Sequence, residues 1–289
     1  MTAPPDIFDR RLVALRRERA ATRVREVEAI LAPAAELLLD RLDDTTRRFS
    51  RALDLGGRGV VAPRLRARGI PFVVSMDLAP RMAAGAGGLP VAGDEEWLPF
   101  GEGAFDLIVA SLSLHWVNDL PGALIQLRRS LAPDGLFLAS LPGFGTLQGL
   151  RESLAAAESE TRGGVSPRIS PFPELRDLAG LLQRAGFALP VADQDRLPLA
   201  YRSPMGLVAD LRAAGEGNAI RARDLATPPR ALFPRAFAAM PLAFDLPVLV
   251  MTGWAPHESQ QKPARPGSAD ARLADALGTR EVRLPRHPP

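Results

Sequence analysis

The sequence predicts a doubly wound α/β fold: a mostly parallel sheet with N-terminal helices and a helical cap insertion. Three observations predict it. Short apolar runs alternate with helix-compatible segments from Arg51 to Leu141, the pattern of a sheet built from strand–helix–strand units. A glycine cluster, Gly56, Gly57 and Gly59, stands between the first apolar run and the helical segment after it. Asp77 ends the second run about 20 residues past the glycines, where an acid in such a fold holds a pair of ribose hydroxyls. Strand, glycine turn and helix together bring backbone N–H groups and a positive helix end up to a small anionic ligand.

Composition narrows the class. The 289 residues give room for one large α/β domain with an appended cap, or for two small domains. With 46% hydrophobic and 24% charged residues the chain has the make-up of a soluble globular protein. No apolar run is long enough to span a bilayer. The absence of cysteine excludes disulfides, thiolate zinc sites and cysteine nucleophiles. With only His115, His257 and His287, no metal site is expected. The net charge of +3 hides a gradient: residues 1–72 hold 15 Arg against 10 acids, and residues 73–135 hold 3 Arg against 8. A basic entry segment beside an acidic site region suits a polar protein partner. It is not the clustered stripe of a nucleic-acid binder.

Residues 1–48 form an N-terminal helical segment, because Ile7, Leu12, Leu15, Val24, Val27, Ile30 and Leu31 recur at near-helical spacing among Arg and Glu. Its acids (Asp6, Asp9, Glu18, Glu26, Glu28) argue against a targeting peptide. A cytoplasmic location is therefore expected, with helices packed on the sheet and their arginine face in water. Residues 49–142 are the cofactor-binding core, with strands in ALDL, FVVSMD, LPVAGD, FDLIVASLSL and GLFLASLP. A helix is expected over Asn118–Leu131, with Asn118 as its cap and Pro121 in its first turn, stopped by the Pro133-Asp134-Gly135 turn. Residues 143–184 break the alternation and read as a helical cap, with helices over Thr146–Glu160 and from Glu174. Residues 185–255 return to the core through a strand over Phe187–Leu199 and a helix over 204–215. The Pro-punctuated segment 227–241 is undetermined, and Pro247–Trp254 reads as a closing edge strand. Residues 256–289 are a Pro/Arg-rich tail, expected to be disordered after about residue 266.

Ligands in doubly wound sheets sit at the carboxyl ends of the strands, near the switch in strand order. The candidate cofactor-binding residues therefore follow each strand: Asp54, Gly56, Gly57 and Gly59; Asp77 and Leu78; Asp94 and Glu95; then Ser111. Acids rarely end buried strands without a polar partner, which favours function for Asp54 and Asp77. The loop Asp94–Glu96 reads equally as a solvated acidic turn. His115 and Trp116 are the catalytic candidates: His115 as a general base, or as a hydrogen-bonded wall of the pocket beside Trp116. Tyr201 reads as core or cap packing rather than as a catalytic group, and Trp254 and His257 as structural residues or a partner contact. Ser166, Arg168 and Ser170 read either as substrate contacts or as a rigid cap turn.

LDLGGRG, MDLAP, GDEEWLPF, FDLIVASLSLHWVNDLP and LRRSLAPDGLF together resemble the core of the class I S-adenosylmethionine (SAM) methyltransferases, a Rossmann-like fold. The resemblance implies SAM as cofactor, Asp54 just before the glycine loop, Asp77 on the ribose hydroxyls and Asp94 near the adenine amine. Asp54 and the unmet G-x-G-x-x-G disfavour a nicotinamide dinucleotide. Outside the core, IFDRRLVALRRERAA (Ile7–Ala21), GTLQGLRESLAAAESETRGGVSPRISPF (Gly145–Phe172) and GWAPHESQQKPARPGSA (Gly253–Ala269) resemble the complex I assembly factor 5 family. That implies hydroxylation of an arginine on a peripheral-arm subunit of respiratory complex I. The partner would then be a protein, with no nucleic acid and no integral membrane segment; transient contact with a membrane surface stays open. The loop departs from the family's D-L-G-C-G-R-G, being one residue shorter at Asp54-Leu55-Gly56-Gly57-Arg58-Gly59. Two alternatives stay open beside it. One is SAM-dependent methyl transfer to a small-molecule or carrier-bound carboxylate, as in the related malonyl-carrier-protein methyltransferases. The other is a non-catalytic assembly chaperone with a degenerate SAM site.

Overall fold

A computed structural model describes residues 6–261, 273–276, 278 and 279. The chain to Pro256 is one compact unit, and His257 onward is a second. Helix α1 (Arg10–Ala20) is capped by Asp9, whose carboxylate accepts the Leu12 N–H at 3.1 Å. A 3-10 turn over Val24–Val27 leads into α2 (Glu28–Asp43), which buries Leu31, Leu38 and Leu39. The alternation then runs β1 (Arg51–Leu55), α3 (Val61–Ala67), β2 (Phe72–Asp77), α4 (Pro80–Gly85), β3 (Leu89–Ala92), β4 (Phe105–Ala110), α5 (Leu120–Ser130) and β5 (Leu131–Pro142). After it come α6 (Gln148–Arg162), α7 (Leu175–Arg184), β6 (Ala188–Ala200), α8 (Pro204–Ala213), α9 (Leu232–Ala239) and β7 (Ala243–Trp254).

Among the described residues the seven strands form one sheet in the order β3-β2-β1-β4-β5-β7-β6. The first five are parallel, and β7 runs antiparallel to both neighbours. Successive side chains of a strand point to opposite faces. In β1, Ala52 joins the layer of Leu38, Leu39 and Val61, while Leu53 and Leu55 join that of Ile108, Phe137 and Leu178. The strand order reverses at β1, which has β2 on one side and β4 on the other, so the crevice opens at their carboxyl ends.

Three features differ from expectation. Strand β7 is not an edge but lies between β5 and β6, its Val248–Met251 stretch buried on both faces. The edge is β6, whose exposure alternates and which carries Pro190, Asp193, Asp195, Arg196 and Pro198, residues that blunt a free edge. The cap of α5 is Asp119, accepting the Gly122 N–H at 2.9 Å; Asn118 instead accepts the Phe8 N–H at 2.8 Å and fastens the N-terminus. The Pro133-Asp134-Gly135 turn sits inside β5, where Asp134 takes φ 60° and the register to β4 shifts.

The cap is assembled from both sides of β6. Leu150, Leu154 and Ala157 of α6 pack with Leu207 of α8 and with Leu232 and Ala236 of α9. Helix α7 packs Leu178 and Leu182 on the sheet instead. In the second unit His257 Nδ1 lies 2.7 Å from Ser259 Oγ, and a short helix covers Leu273–Ala276. The expectation for the tail after residue 266 falls mostly outside the described residues. No helix among the described residues is long and apolar enough to cross a membrane.

Candidate active site

The carboxyl ends of β1, β2 and β4 converge on buried charge. Asp77 is fully buried: Oδ1 accepts the Ala79 N–H at 2.8 Å, and Oδ2 lies 2.6 Å from Arg17 Nη2. Arg17, 1% exposed, comes from α1 and also donates to the Gly56 carbonyl at 3.2 Å. Two helical turns earlier on the same helix face, Arg10 pairs with Glu95, with Asp94 at 2.6 Å and with Glu96 at 3.7 Å. The expected water-facing arginines are thus partly turned inward. Strand-end acids withdrawn from water need a countercharge, and α1 supplies it. Close approach of α1 needs glycine opposite: a Cβ at Gly215 would stand 3.3 Å from Arg17 Cα.

Burial pushes the Asp77 carboxyl up, Arg17 pulls it down, and Glu95 adds to the push. Burial acts to lower the Arg17 guanidinium, but Asp77, Glu95 and Glu216 more than reverse this and keep it charged. Asp54 ends β1 beneath the glycine loop rather than facing the crevice. It accepts from Ser75 Oγ at 3.2 Å, and burial pushes its carboxyl up to about 7 against the bonds from Ser75 and the Ala62 N–H. A Cβ on Gly57 would stand 2.7 Å from Asp54 Oδ2, and one on Gly56 (φ 71°) 2.3 Å from Ser113 Cβ. The loop backbone is wedged between these side chains.

On the other side of Arg58 lies a cavity of about 280 Å³, bounded by Arg58, His115 and Glu216 at the sheet end and by Ile169, Phe172 and Tyr201 on the cap side. Glu216 is its hub. Its Oε1 accepts from Arg58 Nη2 at 2.6 Å, and its Oε2 lies 2.7 Å from both His115 Nε2 and Trp116 Nε1. Burial would raise the Glu216 carboxyl, but His115, Arg58 and Arg17 hold it well below the usual carboxylate range. His115 Nδ1 is buried with no partner among the described residues.

Six of the sequence-predicted residues fall into two groups. Gly56, Asp77, Asp94 and Glu95 gather around Arg17 and Arg10, while His115 lines the cavity with Trp116. Leu78 packs beside Phe8 and Trp116. Ser111 is buried at the turn into Leu112, which has φ 48° and donates its N–H to Ser140 Oγ at 3.1 Å. Gly59 (φ 83°) lies farther along the loop, against the Gly85 carbonyl. Arg10, Arg17, Arg58 and Glu216 are site residues that lie outside the sequence-predicted set. The seven-residue spacing of the two helix arginines and the lone acid between Gly215 and Gly217 were the available signals.

A family model described as a methyltransferase domain matches residues 24–190. The human protein named arginine-hydroxylase NDUFAF5, mitochondrial, is 38% identical over 91% of this chain and 81% of its own length; the zebrafish protein of that name is 38% identical over 82% and 78%. The chain belongs to the NDUFAF5 arginine-hydroxylase family. A malonyl-[acyl-carrier protein] O-methyltransferase of Halorhodospira halophila is more distant, at 34% identity over 83% of each chain. Among solved structures, a Haemonchus contortus phosphoethanolamine N-methyltransferase 2 in complex with S-adenosyl-L-methionine aligns with a TM-score of 0.54 at 17% identity, over 88% of this chain and 62% of that one. The YcgJ protein of Bacillus subtilis aligns at 0.51 and 19%, over 78% and 98%. For this NDUFAF5-family chain those structures establish a shared fold.

SAM is the cofactor that the fold family implies, and the residues present suit it in kind. Five carboxylates (Asp77, Asp94, Glu95, Glu96, Glu216) face three guanidiniums (Arg10, Arg17, Arg58), a surplus of negative charge that favours a cationic ligand. Glu95 Oε1 and Ser113 Oγ are buried without partners among the described residues, and Ser113 borders Gly56. Among those residues no cluster of three or more histidine or acidic side chains is arranged to hold a metal.

Proposed function

We propose that this chain binds SAM and modifies, by hydroxylation, an arginine side chain on a peripheral-arm subunit of respiratory complex I, working from the cytoplasm. The observation that carries the substrate reading is the cavity between sheet and cap. Its Leu112, Ile169 and Phe172 walls suit the methylene stem of an arginine, and its Glu216 and Asp210 carboxylates suit the guanidinium. A carboxylate offers about four acceptor positions, and Glu216 has three donors, so one remains for a ligand. Asp77, Asp94 and Glu95 would take the nucleoside side of SAM, and the Gly56 turn its amino-acid side.

The chain's own residues have limited tasks in this scheme. The cap excludes water, Glu216 fixes the His115 ring, and His115 Nδ1 is left to accept or carry a proton within the cavity. Inserting oxygen into a C–H bond also consumes an oxidant and two electrons from outside the chain. SAM, when bound, supplies an electrophilic sulfonium methyl. Methyl transfer is accordingly the second reading, favoured by the Halorhodospira halophila relative.

The test is mass spectrometry of complex I peripheral-arm subunits from cells with and without this gene. Loss of one oxygen from a specific arginine in the deletion strain supports hydroxylation, and loss of a methyl group supports the second reading. An unchanged arginine in a normally assembled complex would falsify the arginine proposal.

A further inference from the structure

We infer that α1 is the gate of the nucleotide site, with Arg17 standing on the carboxylate that a ribose diol must take. This rests on the SAM-binding reading and adds to it an order of events: α1 lifts, then the cofactor enters.

Both oxygens of Asp77 are engaged, one by a hydrogen bond and one by an ion pair. One oxygen is held by its own turn at Ala79 and the other by Arg17, and the side chain is sealed from solvent. Arg17 has no room to step aside while the helix stays seated. Its guanidinium is buried, its backbone lies against Gly215, and its Nη2 would be 3.3 Å from a Cβ at Gly56. Arg10 clamps the same face onto Asp94 and Glu95, the acids on the adenine side. One helix face therefore closes both acidic halves of the site. The segment before it is fastened at Phe8, through the Asn118 side chain and an edge-to-face contact with Trp116 at 5.2 Å between ring centroids. On the side facing α4, the exposed rim of α1 carries the ion pair of Glu18 with Arg81 at 3.2 Å, where Arg81 is 72% exposed.

The consequence is an affinity reduced by the fraction of molecules with the gate open. S-adenosylhomocysteine binding is measured by calorimetry on the full chain, on Arg17→Met, and on Glu18→Cys/Arg81→Cys joined by a short bismaleimide. The native sequence has no cysteine, so the cross-link forms only there. The gate predicts affinity at least about tenfold tighter in R17M, and binding lost on cross-linking yet present before it. Binding by R17M alone, with none by the parent chain, also supports the gate. Weaker or equal binding by R17M, together with undiminished binding by the cross-linked protein, overturns the gate while leaving the SAM site standing. No binding by any folded form, including the double-cysteine protein before cross-linking, overturns the SAM reading and the gate with it. Because the cross-link leaves Asp77 and Arg17 intact, it decides the matter even if R17M folds poorly.

Discussion

Glu216 and Trp116 meet at 2.7 Å, carboxylate oxygen to indole N–H, and the same oxygen holds His115. One acidic side chain from the loop after α8 thereby fixes the ring of the catalytic candidate and, through Arg58, the glycine loop. Replacing Glu216 with Gln keeps the shape but strips the charge from beside Arg58 and Arg17. Breaking a buried pair in this way costs about 3 kcal/mol, a fall in melting temperature of roughly 6–12 °C for a chain of this size. Trp116 emission should shift to the red at the same time. An unchanged melting temperature would show that the hub is not held by charge.

Asp54 gives a pH signature. Its carboxyl is pushed from 3.8 up to about 7, so the folded state holds a proton that the unfolded state has released. Stability from this group is full below pH 3.8 and lost as pH rises through 7, a penalty of up to about 4 kcal/mol at pH 8. Asp54→Asn removes the titration and still accepts a hydrogen bond. Denaturant unfolding should show the parent losing stability between pH 5 and 8 relative to D54N, with the variant about 2 kcal/mol the more stable at pH 8. Parallel curves would place Asp54 in a wetter setting than its burial implies.

The alternating core was legible because apolar runs and turn residues are local signals, and alternation of strands with helices points to a parallel sheet. Placing Asp77, Asp94 and His115 at one end of the sheet followed from that topology. What was not legible depends on contacts between distant segments. Nothing local in RRERA says that Arg17 faces a strand end while Arg19 does not, and Glu216 acquires its role only when α8 delivers it to Arg58. The edge position of β6 was written in its prolines and charges, but the deeper hydrophobicity of β7 read equally as a terminal strand.

Gly56 tests how tightly the loop is wedged. A methyl group there would sit 2.3 Å from Ser113 Cβ, at a φ of 71° that side chains rarely adopt. Gly56→Ala should abolish S-adenosylhomocysteine binding and cost at least about 2 kcal/mol of stability. Adding Ser113→Gly relieves the overlap but not the backbone strain, so stability should return only in part. Full recovery of stability in the double variant would mean the positive φ costs little here.

Glu158 controls the cap. Near the end of α6 it accepts from the Ser166 N–H at 3.0 Å, from Ser166 Oγ at 2.7 Å and from Arg168 at 2.7 Å, while Arg168 lies over the Phe233 ring of α9. Burial would raise its carboxyl, but the Arg168 and Ser166 bonds hold it down at about 2. The folded pKa lies below the unfolded 4.5, so the stabilisation is complete above pH 4.5 and disappears as pH falls toward 2. Its size is about 3 kcal/mol. Since Arg168 also lines the cavity, the loss should open the cap before the sheet unfolds. Hydrogen exchange at pH 3.5 should accelerate in α6 and the 163–172 loop while the β1, β4 and β5 amides stay protected. Glu158→Gln should show the same local opening at pH 7 and little further change on acidification. Uniform exchange through cap and sheet would mean the two open as one cooperative unit, and that Glu158 anchors the whole fold rather than the cap alone.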